Sequence, residues 1–101
     1  MRRRELSASM RDLSARMARR FPQHPAHQHV RDAATMLDLG QHDGARRHLN
    51  AAIASLSPLQ IRRMGLSHDE DHQDAKLFMD QAHRHLLLVK DHEDARKEPA
   101  Q

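Results

Sequence analysis

The chain of 101 residues holds four β-branched aliphatic residues, Val30, Ile53, Ile61 and Val89, and two aromatics, Phe21 and Phe78. Sheets are built mainly from such side chains, because they fill a pleated, half-buried surface. Too few are present here to line even one sheet. Alanine, leucine, arginine and methionine take their places, and all four are good helix formers. The expected fold class is all-α: a small bundle of three to four main helices, with a central αα-hairpin and a long C-terminal helix. A chain of this length makes one domain and buries roughly 60–70% of its unfolded surface.

Periodicity and breakers divide the chain. Leu6, Met10, Leu13, Met17 and Phe21 recur at alternating steps of four and three, which on a helix gives a narrow stripe of the coiled-coil kind. Residues 1–21 are therefore expected to form a basic amphipathic helix. Pro22 and Pro25 interrupt it, and the Pro/His-rich stretch 22–29 is expected to act as a hinge. Residues 30–97 should hold the hairpin, a short helix and the long last helix, with 98–101 as a tail. Within that plan helix two can begin as early as Pro25, presenting Val30, Ala33, Ala34, Met36 and Leu37. Gly40 suits its end. Asp43 is the expected cap of helix three, whose inner side holds Ala45, Leu49, Ala52, Ile53 and Leu56. Ser57, Pro58 and Gly65 bracket a helix of about two turns. Ser67 and Glu70 have capping-box spacing and should open the last helix, which runs to about residue 96. There Ala75, Phe78, Met79, Ala82, Leu86 and Val89 share a face. Leu77 and Leu88 lie on its flank, and Leu87 lies nearly opposite.

Residues 36–58, "MLDLGQHDGARRHLNAAIASLSP", resemble the central turn and second helix of a tetratricopeptide repeat. Leu39-Gly40 stand where the repeat ends its first helix, and His42 stands in place of the turn aromatic. Ala45, Leu49 and Ala52-Ile53 follow the small, large, small-plus-aliphatic series, and Pro58 arrives one residue late. The resemblance implies two antiparallel helices in close contact. It covers about a quarter of the chain, and no second copy follows. The string "AKLFMDQAHRHLLLVKDHEDA", with "RRHLNAAI" before it, also resembles small helical proteins of the structural gene blocks of phages of high-GC bacteria. That resemblance bears on the choice of partner alone.

Charge is distributed unevenly. Residues 1–20 carry seven arginines against Glu5 and Asp12, whereas residues 66–101 carry five bases against nine acids. A basic head and an acidic tail can pair within one molecule, between molecules or with separate partners. Arg2, Arg3, Arg4, Arg11, Arg16, Arg19 and Arg20 are candidate phosphate ligands, although no aromatic is free to stack on bases.

Other chemistries fare worse. The chain lacks cysteine, which removes thiolate catalysis and sulfur-ligated metals. Its ten histidines are expected to be mostly solvated and metal-free, with His85 half-buried. "HPAHQH" matches no metal spacing, and "HDEDH" differs from the metalloprotease motif because its glutamate stands one place late. No glycine elbow, glycine-rich phosphate loop or apolar run of membrane-spanning length occurs. The first twenty residues lack the apolar core of a secretory signal. No cofactor is expected.

The expected function is thus a non-enzymatic module for protein–protein interaction or assembly, a small component of a larger particle such as a phage virion. Its partner would be another protein or further copies of itself, without a membrane, in the cytoplasm or in the particle. The candidate contact residues are Leu6, Met10, Leu13 and Met17 on the first helix and Leu77, Leu87 and Leu88 on the last. These two stripes can also satisfy each other within one bundle. The alternative is a nucleic-acid-associated accessory protein that uses the N-terminal arginines.

Overall fold

The computed structural model describes residues 2–97. The expected tail, 98–101, lies outside the described residues. Five helices follow in order: α1 (Arg3–Arg20), α2 (Ala26–Asp38), α3 (His42–Ser55), the short α4 (Pro58–Arg63) and α5 (Asp69–Lys97). The described residues contain no strand. The fold is all-α, with the central hairpin formed by α2 and α3.

Local signals set most of the helix ends. Gly40, at φ 75°, ends α2 in a Schellman closure: its own N–H reaches the Leu37 carbonyl, and the Gln41 N–H reaches that of Met36. A left-handed residue at that point costs glycine little. Gly65, at φ 79°, repeats the arrangement after α4, with the Leu66 N–H on the Ile61 carbonyl. Ser57 caps α4 by accepting the Gln60 N–H, and Pro58 opens it.

Two expectations about helix starts need correction, and so does the extent of the hinge. α3 begins at His42, so Asp43 lies in its first turn and pairs with Arg46 and Arg47 instead of capping. α5 begins at Asp69. There the Asp71 carboxylate accepts the His68 N–H, which is half of a capping box moved one residue on from Ser67 and Glu70. Finally, α2 begins at Ala26, inside the stretch expected as a hinge. Only residues 21–25 connect α1 to α2, and they are pinned. Phe21 is buried, with its ring edge-on to Phe78 at 6.0 Å and the Arg20 guanidinium 4.4 Å over its face. His24 is 2% exposed.

The long helices alternate in direction. Near the C-terminus of α1, Arg20 reaches Asp71 and Asp74 near the start of α5. Near the start of α3, Arg46 reaches Glu93 near the end of α5. α2 packs on α1 and α3, and α5 packs on the same two helices. The result is a four-cornered bundle 53 Å long and under 20 Å across, with α4 folded over one end.

The core runs along its axis. Leu6, Met10, Leu13 and Met17 are 0–2% exposed, so the α1 stripe is an interior surface of this chain. That corrects its assignment as a partner-facing seam: α2 and α5 cover it within the same molecule. Alanines at 26, 33, 34, 45 and 52 are buried between the helices. Such small residues let helix axes approach closely. Gly44, inside the first turn of α3, serves the same end, since a Cβ there would stand 3.1 Å from the Met36 sulfur. Leu49 is fully buried, whereas Ile53 is only half-buried at the edge of the core.

Because Leu49 is fully buried, removing its side chain leaves a space that the packed helices close only in part. Leu49→Ala should cost about 2–4 kcal/mol, read as a lower urea midpoint with an unchanged slope. An unaltered midpoint would show that Leu49 does not sit in a closed core.

Candidate functional site

Two surfaces remain once the core is closed. The first is the outward face of α5. With α1 and α3 taken as neighbours, positions 77, 80, 84, 87 and 91 form its outer stripe at steps of three and four. Leu77 is 58% exposed and Leu87 is 50% exposed. Leu88 differs from them: it is half-buried and packs onto the bundle's own core. Leu77 and Leu88 nonetheless border a shallow groove with Ser9 and Arg16 of α1 and Arg84 of α5. A second apolar groove of about 440 Å³, between the α3–α4 junction and α5, is lined by Leu56, Pro58, His72, Gln73, Lys76 and Met79. It combines residues distant in the chain, so no periodicity in the sequence announces it.

The second surface concerns the arginines, which the fold divides. Arg11 bonds Asp38 of α2 at 2.6 Å. Arg16 bonds Asp12 and the Gln81 side-chain carbonyl. Arg20 holds Asp74 at 2.6 Å and Asp71 at 2.7 Å. Basic head and acidic tail thus pair, in part, within one molecule. Ser7, and then Arg11, hold the Asp38 carboxyl below its ordinary value, and Arg20 does the same for Asp71. Arg2, Arg3, Arg4 and Arg19 form no ion pair with a described residue. The seven arginines do not make one continuous phosphate-binding face.

Several histidines are structural, which corrects the expectation that they are mostly solvated. His24 accepts the Ala26 N–H at Nδ1 and donates from Nε2 to the Ser55 carbonyl, joining the α1–α2 connection to the end of α3. His85, buried where a half-buried position was expected, donates from Nδ1 to the Gln81 carbonyl and accepts the Ser9 hydroxyl at Nε2. His42 donates from Nδ1 to the Gly40 carbonyl, and its Nε2 shares a hydrogen bond with His92 Nδ1 at 2.8 Å. The two rings stack at 5.0 Å. Because carbonyls only accept, each of the three rings, His24, His42 and His85, carries a proton on the nitrogen that faces its carbonyl. His29 lies 6.0 Å from His48, and its Nδ1 is buried without a partner. Among the described residues no three His, Asp or Glu side chains converge in a way that could hold a metal ion, and no helix is long and apolar enough to cross a membrane.

Compared with known protein families, with curated proteins and with solved structures, the chain finds no match in any of the three.

Burial pushes the His24 imidazole below its ordinary value of 6.5, and His27 and His29 add repulsion. Burial also lowers His92, helped by His42, Arg96 and Arg3. Just below pH 6.5 the unfolded chain therefore binds more protons than the native one. Stability is full above that pH and is lost as pH falls toward the depressed native values. Urea midpoints should decline between about pH 7 and pH 5. His24→Gln should lower the midpoint at neutral pH and flatten the decline. An equally steep decline in the variant would place the proton uptake elsewhere.

Proposed function

We propose that this chain is a non-enzymatic helical module for protein–protein interaction or assembly, working as a small component of a larger particle such as a phage virion. One observation carries the reading: Leu77 and Leu87 stand half or more exposed on the outer stripe of α5. A single exposed leucine is commonplace. Two on one stripe, with Asp80 and Arg84 between them, present apolar anchors and charges of both signs to an approaching helix. The closed α1 seam supports this choice, because it leaves α5 as the long helix with an unfilled side. Leu39, Leu59 and Met64 are also exposed, but they lie singly on turns and on the short α4. The alternative, a nucleic-acid accessory protein using the whole arginine-rich helix, is weakened by the commitment of Arg11, Arg16 and Arg20 to partners within the chain.

The test uses Leu77→Glu and Leu87→Glu, singly and together. Exposed substitutions of this kind should change stability by no more than about 0.5 kcal/mol. The parent should self-associate in light scattering or retain a partner on purification from its source, and the double variant should lose that behaviour at unchanged helicity. A parent that is monomeric and captures nothing, or a variant that assembles equally well, would contradict the proposal.

A further inference from the structure

Four arginines and one histidine line a cleft of about 370 Å³ at the end of the bundle where α1 begins and α5 ends: Arg2, Arg3, Arg4, His92 and Arg96. No carboxylate among the described residues lines it. We infer that this cleft is a binding site for a compact polyphosphate, either free or as the phosphate chain of a nucleotide.

Elsewhere on α1 and α3 the arginines, Arg19 excepted, pair with carboxylates among the described residues. Arg11, Arg20, Arg46 and Arg47 each sit on a carboxylate. Arg2, Arg3, Arg4 and Arg96 form no ion pair with a described residue. Arg3 acts on the Asp38 carboxyl only at longer range, and Arg11 already occupies that group. Arg3 and Arg96 nevertheless converge: their terminal nitrogens lie 3.7 Å and 3.6 Å from the position a Cβ on Gly40 would take. Both guanidinium groups thus border the left-handed turn residue Gly40, at ordinary contact distance from where a side chain would begin. Like charges gathered from opposite ends of the chain repel each other unless an anion joins them.

The backbone adds donors. α1 and α3 both start at this end, and neither Arg2 nor Gln41 supplies a side-chain cap. The first-turn amides of α1, beside the cleft, are thus left without a side-chain acceptor, and an anion there meets the positive end of its dipole. α3 begins instead beside a neighbouring hollow lined by Asp43 and Glu93 as well as Arg96. His92 is held against the bundle by its bond to His42, which gives the cleft a fixed wall. Four guanidinium forks offer more paired donors than one carboxylate has oxygens. A chain of phosphate groups, with several charges and many oxygens in a small volume, matches that number. The inference does not depend on the assembly proposal, which rests on leucines of α5 outside this cleft.

Calorimetric titration of the whole chain with inorganic triphosphate, and separately with ATP, tests the inference. One saturable site is expected for each, weakening as salt is raised. Equal affinities would indicate a site for phosphate alone, and tighter ATP binding a site for nucleotides. Arg3→Ala and Arg96→Ala should each weaken binding about tenfold at unchanged helicity, whereas Arg62→Ala, on α4 at the opposite end, should leave it intact. No saturable binding at millimolar triphosphate would overturn the inference, as would equal loss in all three variants. Duplex DNA binding more tightly than triphosphate, with undiminished affinity in Arg3→Ala and Arg96→Ala, would also overturn it.

Discussion

The α1 stripe, Leu6 to Phe21, is the interaction on which the remaining structure depends. It is narrow, with one apolar side chain at each step of three or four residues, and it lies in the groove between α2 and α5. The α2–α3 hairpin meets its neighbours largely through alanines, which bring helices close but offer little apolar area each. The large side chains of α1 supply what those alanines lack. Without them, one side of α2 and one side of α5 would face water.

That arrangement also determines what happens to charge. Docking α1 antiparallel to α5 brings its C-terminal arginine onto the acidic first turns of α5, where Arg20 bridges Asp71 and Asp74. The same antiparallel placement carries Arg2, Arg3 and Arg4 to the other end of the bundle, beside Arg96. One end thereby pairs Arg20 with two aspartates, and the other gathers four arginines into one cleft, beside a hollow where Arg96 adjoins Asp43 and Glu93. The charge imbalance visible along the chain becomes an imbalance along the 53 Å bundle axis. Packing, not local charge attraction, sets it, since exposed ion pairs contribute only about 0–1 kcal/mol each.

Much of the fold was legible because helix ends are local. Gly40, Gly65 and the Ser57-Pro58 pair act within a few residues, and the helices stop and start beside them. The one-residue shift at the start of α5 shows the limit of such signals: several acids stand close together there, and Asp71 proved better placed than Glu70 to reach a backbone amide. What the α1 stripe packs against was not legible, because it depends on the connection from 21 to 25 and on the anchoring of His24 to Ser55, thirty-one positions away. Composition suggested solvated histidines, since it shows neither the helix-end carbonyl of Ser55 and the turn carbonyl of Gly40 that hold His24 and His42 nor the α1 hydroxyl of Ser9 that meets His85. Of the candidate contact residues, Leu77 and Leu87 were recognisable from helical spacing alone. Arg96 and His92 were not, since their nearness to Arg3 arises only when the bundle closes.

The claim that α1 is an integral core helix can be measured directly by urea unfolding of a chain beginning at Phe21, followed by far-ultraviolet circular dichroism. The account predicts that this truncated chain loses the cooperative transition and most of its helicity. A sharp transition, with the helicity of α2, α3 and α5 intact, would show that α1 is a detachable arm and would contradict it.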